Sequence, residues 1–291
     1  MRTGICTTDF DEKNLPRMTA DDLFALIRHY GYACTQFAFS SIAESGYIPD
    51  GCIEIPESIA PSVIRAVERA SAKHNLPVMV FNGTFNMAHP DEEIRQTGLN
   101  RLEVLADAAD ALGVKMISLC SGTRNPGNLW AYSDENDTDD AWNAMYGTMQ
   151  RAAETAEKHG ITLAIESEAS NVISTPERAR RLMDGVGSDK IKMILDCANL
   201  FHRGEAHPEN VKSVITHAFE VYGHDIVIAH GKDIREGDGI DFCGTGDGIV
   251  DFSLTAELLT QYGYAGDMFL HGIYERGAMV KAREHWEAAR R

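Results

Sequence analysis

Four residues that bind metals well stand in the same kind of place along this chain. Glu166 closes the apolar run that starts at Ile161 (ITLAI), and Asp196 follows Ile191–Leu195 (IKMIL). His230 follows Asp225–Ala229 (DIVIA), and His271 follows Gly266–Leu270 (GDMFL). An acid or imidazole at the end of an apolar strand sits at the mouth of a sheet, not on its solvated flank. Two carboxylates and two imidazoles suit Mn²⁺, Zn²⁺ or Co²⁺ better than Mg²⁺ or Ca²⁺, which prefer all-oxygen shells. One such acid alone is commonly a helix cap or a salt-bridge partner. Four in register on successive strands point to one divalent ion.

For the four side chains to meet, their strands must be neighbours with the same direction. The rest of the chain supplies that arrangement. Apolar runs at Thr3–Thr7, Ala33–Phe39, Pro77–Phe81 and Lys115–Cys120 precede the four already named. Helical patterns separate them. Thr19 is an N-cap with Asp21 and Asp22 in the first turn, and Leu23, Leu26, Ile27 and Tyr30 form one apolar face. Thr175-Pro176 opens another helix in the favoured order, and Gly113 closes a third. Repeated βα units demand parallel strands with right-handed crossovers, and eight of them close into a (β/α)₈ TIM barrel with its active site at the C-terminal strand ends. The expectation is an α/β fold, one domain over residues 1–291. An open doubly wound sheet places its site at a single switch point, which leaves four consecutive ligand-type strand ends without a reason.

Composition narrows the partners. Net charge is −17 and hydrophobic content 44%. A binder of nucleic-acid backbone shows a basic surface, so no nucleic-acid partner is expected. No apolar run reaches the ~20 residues of a membrane span, and MRTGICTTDF has no signal-peptide core, so the expected location is the cytoplasm. Six scattered cysteines without a CxxC pair read as reduced thiols. The acidic run Asp134–Asp140 reads as a solvated loop before a helix, and Gly244, Gly246 and Gly248 as a turn, not a phosphate cradle. Nothing requires or forbids a homo-oligomer.

The segments LAIESE, MILDCANLF, AHGKDI and GTGDGIVDF resemble the xylose isomerase-like barrel superfamily, the sugar phosphate isomerase/epimerase group. The likeness covers nearly the whole chain and is strongest from Ile161 to Glu275. It implies metal-binding roles for Glu166, Asp196 and His230. The family's usual fourth ligand is a glutamate on the last strand, where this chain has His271; Glu275 lies four residues further on. The same resemblance sets Asn199, Lys232 and Asp233 along the site as substrate contacts. From position alone, Glu168 shares a face with Glu166, Arg124 is a loop cation able to meet an anionic group, and His89, His202 and Gln36 are further candidates.

The chemistry so implied is proton transfer beside the carbonyl of a carbohydrate-like small molecule. Glu166 is the expected base, with His271 or a bound water returning the proton. An isomerase or epimerase of a sugar, keto-sugar or sugar phosphate is the first expectation. A lyase or dehydratase of a keto-polyol is the rival, because the glutamate-to-histidine change removes the second carboxylate of a two-base mechanism. A phosphodiesterase of the apurinic endonuclease type needs extra ligands on the early strands, which supply only Gln36 and His89. A metal-free binding barrel is the remaining alternative.

Overall fold

A parallel strand can follow its neighbour only through a crossover, so each amphipathic helix of this chain is laid over the outside of the sheet. The computed structural model describes residues 1–11 and 16–291. Its strands are β1 (Thr3–Cys6), β2 (Cys34–Phe37), β3 (Val78–Asn82), β4 (Met116–Cys120), β5 (Thr162–Glu166), β6 (Ile191–Asp196) and β7 (Ile226–Ile234), then a hairpin arm β8 (Phe242–Gly244) and β9 (Met268–Leu270). β1 to β7 pair in parallel in chain order, and β9 joins β7 to β1, closing an eight-stranded barrel. Eight helices surround it: α1 (Ala20–His29), α2 (Pro61–His74), α3 (Glu92–Leu112), α4 (Asp139–His159), α5 (Pro176–Val186), α6 (Pro208–Tyr222), α7 (Phe252–Gln261) and α8 (Met279–Ala289). The Thr19 and Thr175 side chains cap α1 and α5 as their sequence positions imply. No described helix is long and apolar enough to cross a membrane.

Two apolar clusters arise from the two faces of the strands. The larger lies between sheet and helices. The smaller buries Cys6, Cys34, Val80, Ala164, Ile194, Ile228 and Phe269, with Met116 of β4 among the partly buried residues packed against it. Side chains on a strand alternate faces, so the next residue on the same face is two positions on. Those positions are Thr8, Gln36, Asn82, Ser118, Glu166, Asp196, His230 and His271. The apolar plug therefore dictates a ring of polar residues directly above it. Gly4 is part of the plug's fit, because a Cβ there would lie 2.7 Å from the Phe269 ring and 2.8 Å from Cys34 Sγ.

Two stretches depart from expectation. Within the acidic run, Asp134–Asp137 is a 3₁₀ turn leading into α4; Asp137 of the turn pairs with Arg178 at 2.9 Å, and Asp140 in the first turn of α4 with Arg124 at 2.6 Å. The segment after His230 is no plain loop, since β7 runs on to Ile234 and pairs antiparallel with β8. Asp233 organises the chain beyond β7. Its Oδ1 accepts from the backbone N–H of Ile234 and Val250, and its Oδ2 from Gly246 and Gly248, all at 2.9–3.0 Å. Both oxygens are spent on the chain itself, so Asp233 is a loop anchor and not the substrate contact expected of it. A Cβ on Gly248 would collide with the Ile234 carbonyl and with Asp233 Oδ1, which is why glycine stands there. Asp233→Ala strands several buried N–H donors and is expected to cost on the order of 3 kcal/mol, lowering Tm by about 6 °C or more by calorimetry. An unchanged Tm would show that the arm holds without its anchor.

Candidate active site

Glu166 and Asp196 end β5 and β6, His230 is the last residue of β7 paired with β6, and His271 directly follows β9. One donor atom from each lies within 4.8 Å of all the others. Asp196 is the hub. Its Oδ2 is 2.8 Å from His271 Nε2, 3.5 Å from Lys232 Nζ and 4.0 Å from His230 Nδ1, while Oδ1 accepts from the backbone of Ala198 at 3.0 Å. Burial alone would raise the Asp196 carboxyl, but the Lys232 ammonium and the His271 hydrogen bond hold it well below the usual range. Burial, aided by His230 and Lys232, keeps the His271 pKa below its ordinary value despite Asp196, so this imidazole is a neutral donor at neutral pH.

His230 lies between two acceptors, with Nδ1 3.1 Å from Glu166 Oε1 and Nε2 3.0 Å from Gln36 Oε1. In this orientation Gln36 takes the Nε2 proton while its own amide donates to Ser118 Oγ at 3.3 Å. Nδ1 faces the Glu166 carboxylate, so an imidazole nitrogen and a carboxylate oxygen, both metal-ligand atoms, stand side by side. The donor set and this contact fit a metal ion. The two carboxylates carry about −2, matching a divalent charge.

Lys232 accompanies the cluster without joining it. Its Nζ donates to Asn199 Oδ1 at 2.5 Å and lies 3.9 Å from the centre of the Phe242 ring. Burial disfavours the ammonium, but Asp196, Glu166 and Glu168 outweigh it and raise its pKa. Asn199 and Lys232 thus form one buried pair beside the ligands. Glu168 faces a different space. Its Oε1 accepts from Ser170 Oγ at 2.6 Å, its buried Oε2 has no partner, and burial pushes its pKa up to about 7.

Above these four residues is a chamber of about 260 Å³, lined by Glu166, His230 and His271 and by Thr8, Gln36, Glu54, Asn82, Thr84, Ser118 and Trp130. Trp130 also borders a wider outer cavity of about 520 Å³, shared with Tyr132, Glu168, His202, Arg203, Ile240 and Phe242. Trp130, Tyr132 and Ile240 are among the few exposed large apolar residues, so the mouth of the site is aromatic.

Other candidates lie elsewhere. The Arg124 guanidinium is held by Asp140 and by the Ala88 carbonyl at 3.3 Å, and Arg124 lines neither cavity, so it serves its loop and is not placed to meet a substrate anion. His89 is likewise a loop-packing residue: Nδ1 accepts from Asp91 N at 3.0 Å, Nε2 is 3.1 Å from the Pro126 carbonyl, and neither cavity includes it. His202 borders the outer cavity with Nε2 on the Ser174 carbonyl at 3.0 Å, and Glu275 is exposed beyond the rim. Two acids give no sign of themselves in the sequence pattern. Glu54 lines the inner chamber from the loop after β2. Asp9 accepts from the backbone N–H of Gly272 and Ile273 at 3.2 and 3.1 Å, fixing the loop that carries His271, and burial pushes its pKa up to about 7.

A family model described as xylose isomerase-like TIM barrel matches residues 24–290. An inosose dehydratase of Glaesserella parasuis serovar 5 (strain SH0165) is 24% identical over 290 residues, covering 92% of this chain and 88% of that protein. An L-ribulose 3-epimerase of Mesorhizobium japonicum (strain LMG 29417 / CECT 9101 / MAFF 303099) is 31% identical over 137 residues, covering 46% of this chain and 41% of the other. Among solved structures, the IOLI protein with a bound zinc atom superposes with a TM-score of 0.70 at 14% identity, over 99% of this chain and 96% of that one.

Proposed function

The chain belongs to the xylose isomerase-like TIM barrel family, and from that premise we propose that it is a divalent-metal-dependent dehydratase of a keto-polyol. It would remove the proton next to a carbonyl and expel the β-hydroxyl as water. What carries this reading is the convergence of Glu166, Asp196, His230 and His271 on one point at the floor of a polar chamber. A divalent cation bound there supplies Lewis acidity, which lowers the cost of negative charge on the substrate carbonyl oxygen. Glu166 Oε1 faces His230, and no described residue hydrogen-bonds Oε2, which leaves that oxygen to take the proton as general base. His271 Nε2 is engaged by Asp196, so the last strand brings no second carboxylate to the reacting carbon. That favours elimination, as does the resemblance to an inosose dehydratase along nearly the full chain. Epimerisation of a keto-sugar is the second reading, favoured by the L-ribulose 3-epimerase match. Zn²⁺, Mn²⁺ and Co²⁺ suit two imidazoles better than Mg²⁺ does, and the aromatic mouth suits a carbohydrate-like substrate.

The test is incubation of metal-analysed protein with cyclic keto-polyols and ketoses in D₂O, followed by NMR. Dehydration with deuterium entering next to the carbonyl is expected. Inverted sugar without water loss would give the site to the epimerase reading, and neither water loss, inversion nor exchange on any compound would sink both.

His271 is the ligand that sets this site apart. His271→Ala is expected to weaken metal binding by at least about 100-fold. His271→Glu keeps a metal and moves the preference toward Mg²⁺. In the wild type burial lowers the His271 pKa and keeps the ligand neutral, so loss of metal by proton competition begins only at a pH below the ordinary imidazole range. Titrations with Zn²⁺ and Mg²⁺ across pH check all three; wild-type affinity in His271→Ala would make His271 a rim residue and not a ligand.

A further inference from the structure

We propose that Glu54 is the acid that protonates the departing hydroxyl, a role that rests on the dehydratase reading. Glu54 comes from the loop between β2 and α2, far in sequence from every candidate ligand. Its side chain lines the inner chamber and hydrogen-bonds Asn82 at the end of β3. In the closed strand order β3 stands across the barrel from β7, which carries His230. Glu54 thus faces the ligands from the opposite wall, where a group leaving the far side of a substrate would depart.

The carboxyl is held as a reactive group is held. Asn82 Nδ2 donates to Oε2 at 2.7 Å and Trp130 Nε1 to Oε1 at 3.1 Å, which fixes the plane and leaves lone pairs free on both oxygens. The backbone is equally fixed: Ile53 bridges Phe85, Glu54 N donates to the Thr84 carbonyl at 2.9 Å, and Asp50 Oδ1 accepts from Cys52 and Ile53. Among the described residues no cation pairs with Glu54, in contrast to Asp196. Burial raises its pKa against the two neutral donors, which favours the protonated form an acid needs. Asp11, Tyr47 and Cys120 each feel its charge, and none of the three is a cation. The other acids and imidazoles of the chamber are already engaged, since Asp196 and His271 hold each other and Glu166 is the base.

The step balances. Glu166 takes the α-proton, and the electron pair passes into the carbonyl. As the carbonyl re-forms, that pair makes the C=C bond and the β-carbon–oxygen bond breaks. The leaving oxygen takes the Glu54 proton and departs as water. Glu54 ends ionised and Glu166 protonated, and exchange with solvent resets both.

The experiment separates the halves in the metal-loaded enzyme. With Glu54→Gln, water elimination is expected to fall by about 10²–10⁴-fold, while α-proton exchange in D₂O stays within about threefold of wild type and metal content is unchanged. The alkaline limb of the kcat profile, where a required acid ionises, should vanish. Trp130→Phe removes one donor that favours the carboxylate, so that limb should move to higher pH. A β-fluoro keto-polyol, whose leaving group needs no proton, should restore turnover to Glu54→Gln. Exchange and elimination falling by one common factor, elimination left intact, or no rescue by fluoride would each overturn the proposal. Wild-type enzyme that neither exchanges an α-proton nor releases water would instead overturn the underlying reading, and the role of Glu54 with it.

Discussion

Asp196→Ala should lose nearly all bound divalent metal and retain less than about a thousandth of the turnover, the loss of several kcal/mol of charge stabilisation. This carboxylate touches three of the cluster's neighbours, His271 at 2.8 Å, Lys232 at 3.5 Å and His230 at 4.0 Å, and the remaining contact is His230 to Glu166 at 3.1 Å. Without it a buried ammonium faces two imidazoles, and any cation arriving there meets repulsion. Breaking a buried pair from one side costs about 3–5 kcal/mol, so Tm should fall as well. The chain should nonetheless stay folded, because the lumen plug and the outer core do not include Asp196. Elemental analysis and circular dichroism melts on the same preparation check both statements. Full metal content in Asp196→Ala would remove the aspartate from the ligand set.

Glu166→Gln should behave differently. The amide oxygen still offers a donor to the metal, so binding weakens without disappearing. The base is gone, and both α-proton exchange and product formation should drop together by about 10³-fold or more. This common loss is the signature that distinguishes Glu166, acting in the first half of the reaction, from Glu54, acting in the second. NMR deuterium wash-in alongside product formation reads both. Exchange that survives in Glu166→Gln would mean another group takes the proton.

The ligand-type residues were legible because a strand has a period of two and a barrel closes. Ala164, Ile194, Ile228 and Phe269 fill the lumen, so Glu166, Asp196, His230 and His271 had to stand above it. The same rule applied to β2, β3 and β4 gives Gln36, Asn82 and Ser118, of which only Gln36 stands out by residue type. Glu54 lies on a loop and Asp9 in the 3₁₀ turn Thr7–Phe10, where no strand period applies and position depends on distant partners, Thr84 for one and Gly272 for the other. Lys232 and Asp233 are adjacent yet divide sharply. One turns to the ligands and the other into its own hairpin, and only the pairing of β7 with β8 decides which. Arg124 was misleading because its acidic partner stands 16 residues ahead, at the start of the next helix.

The chamber is also split along the chain. Every chamber-lining residue before Gly160, from Cys6 to Trp130, is on the wall without a metal-ligand candidate, and every such candidate comes after it, from Glu166 to His271. The two walls of the inner chamber thus sit on separate stretches of coding sequence, joined at the αL glycine that ends α4. A crossover at that point would exchange one wall for another and hand the ion-binding half over intact. Recombination between family members could therefore vary what is recognised while keeping how it is activated. Chimeras cut at Gly160 are the natural starting library for changing the substrate of this barrel.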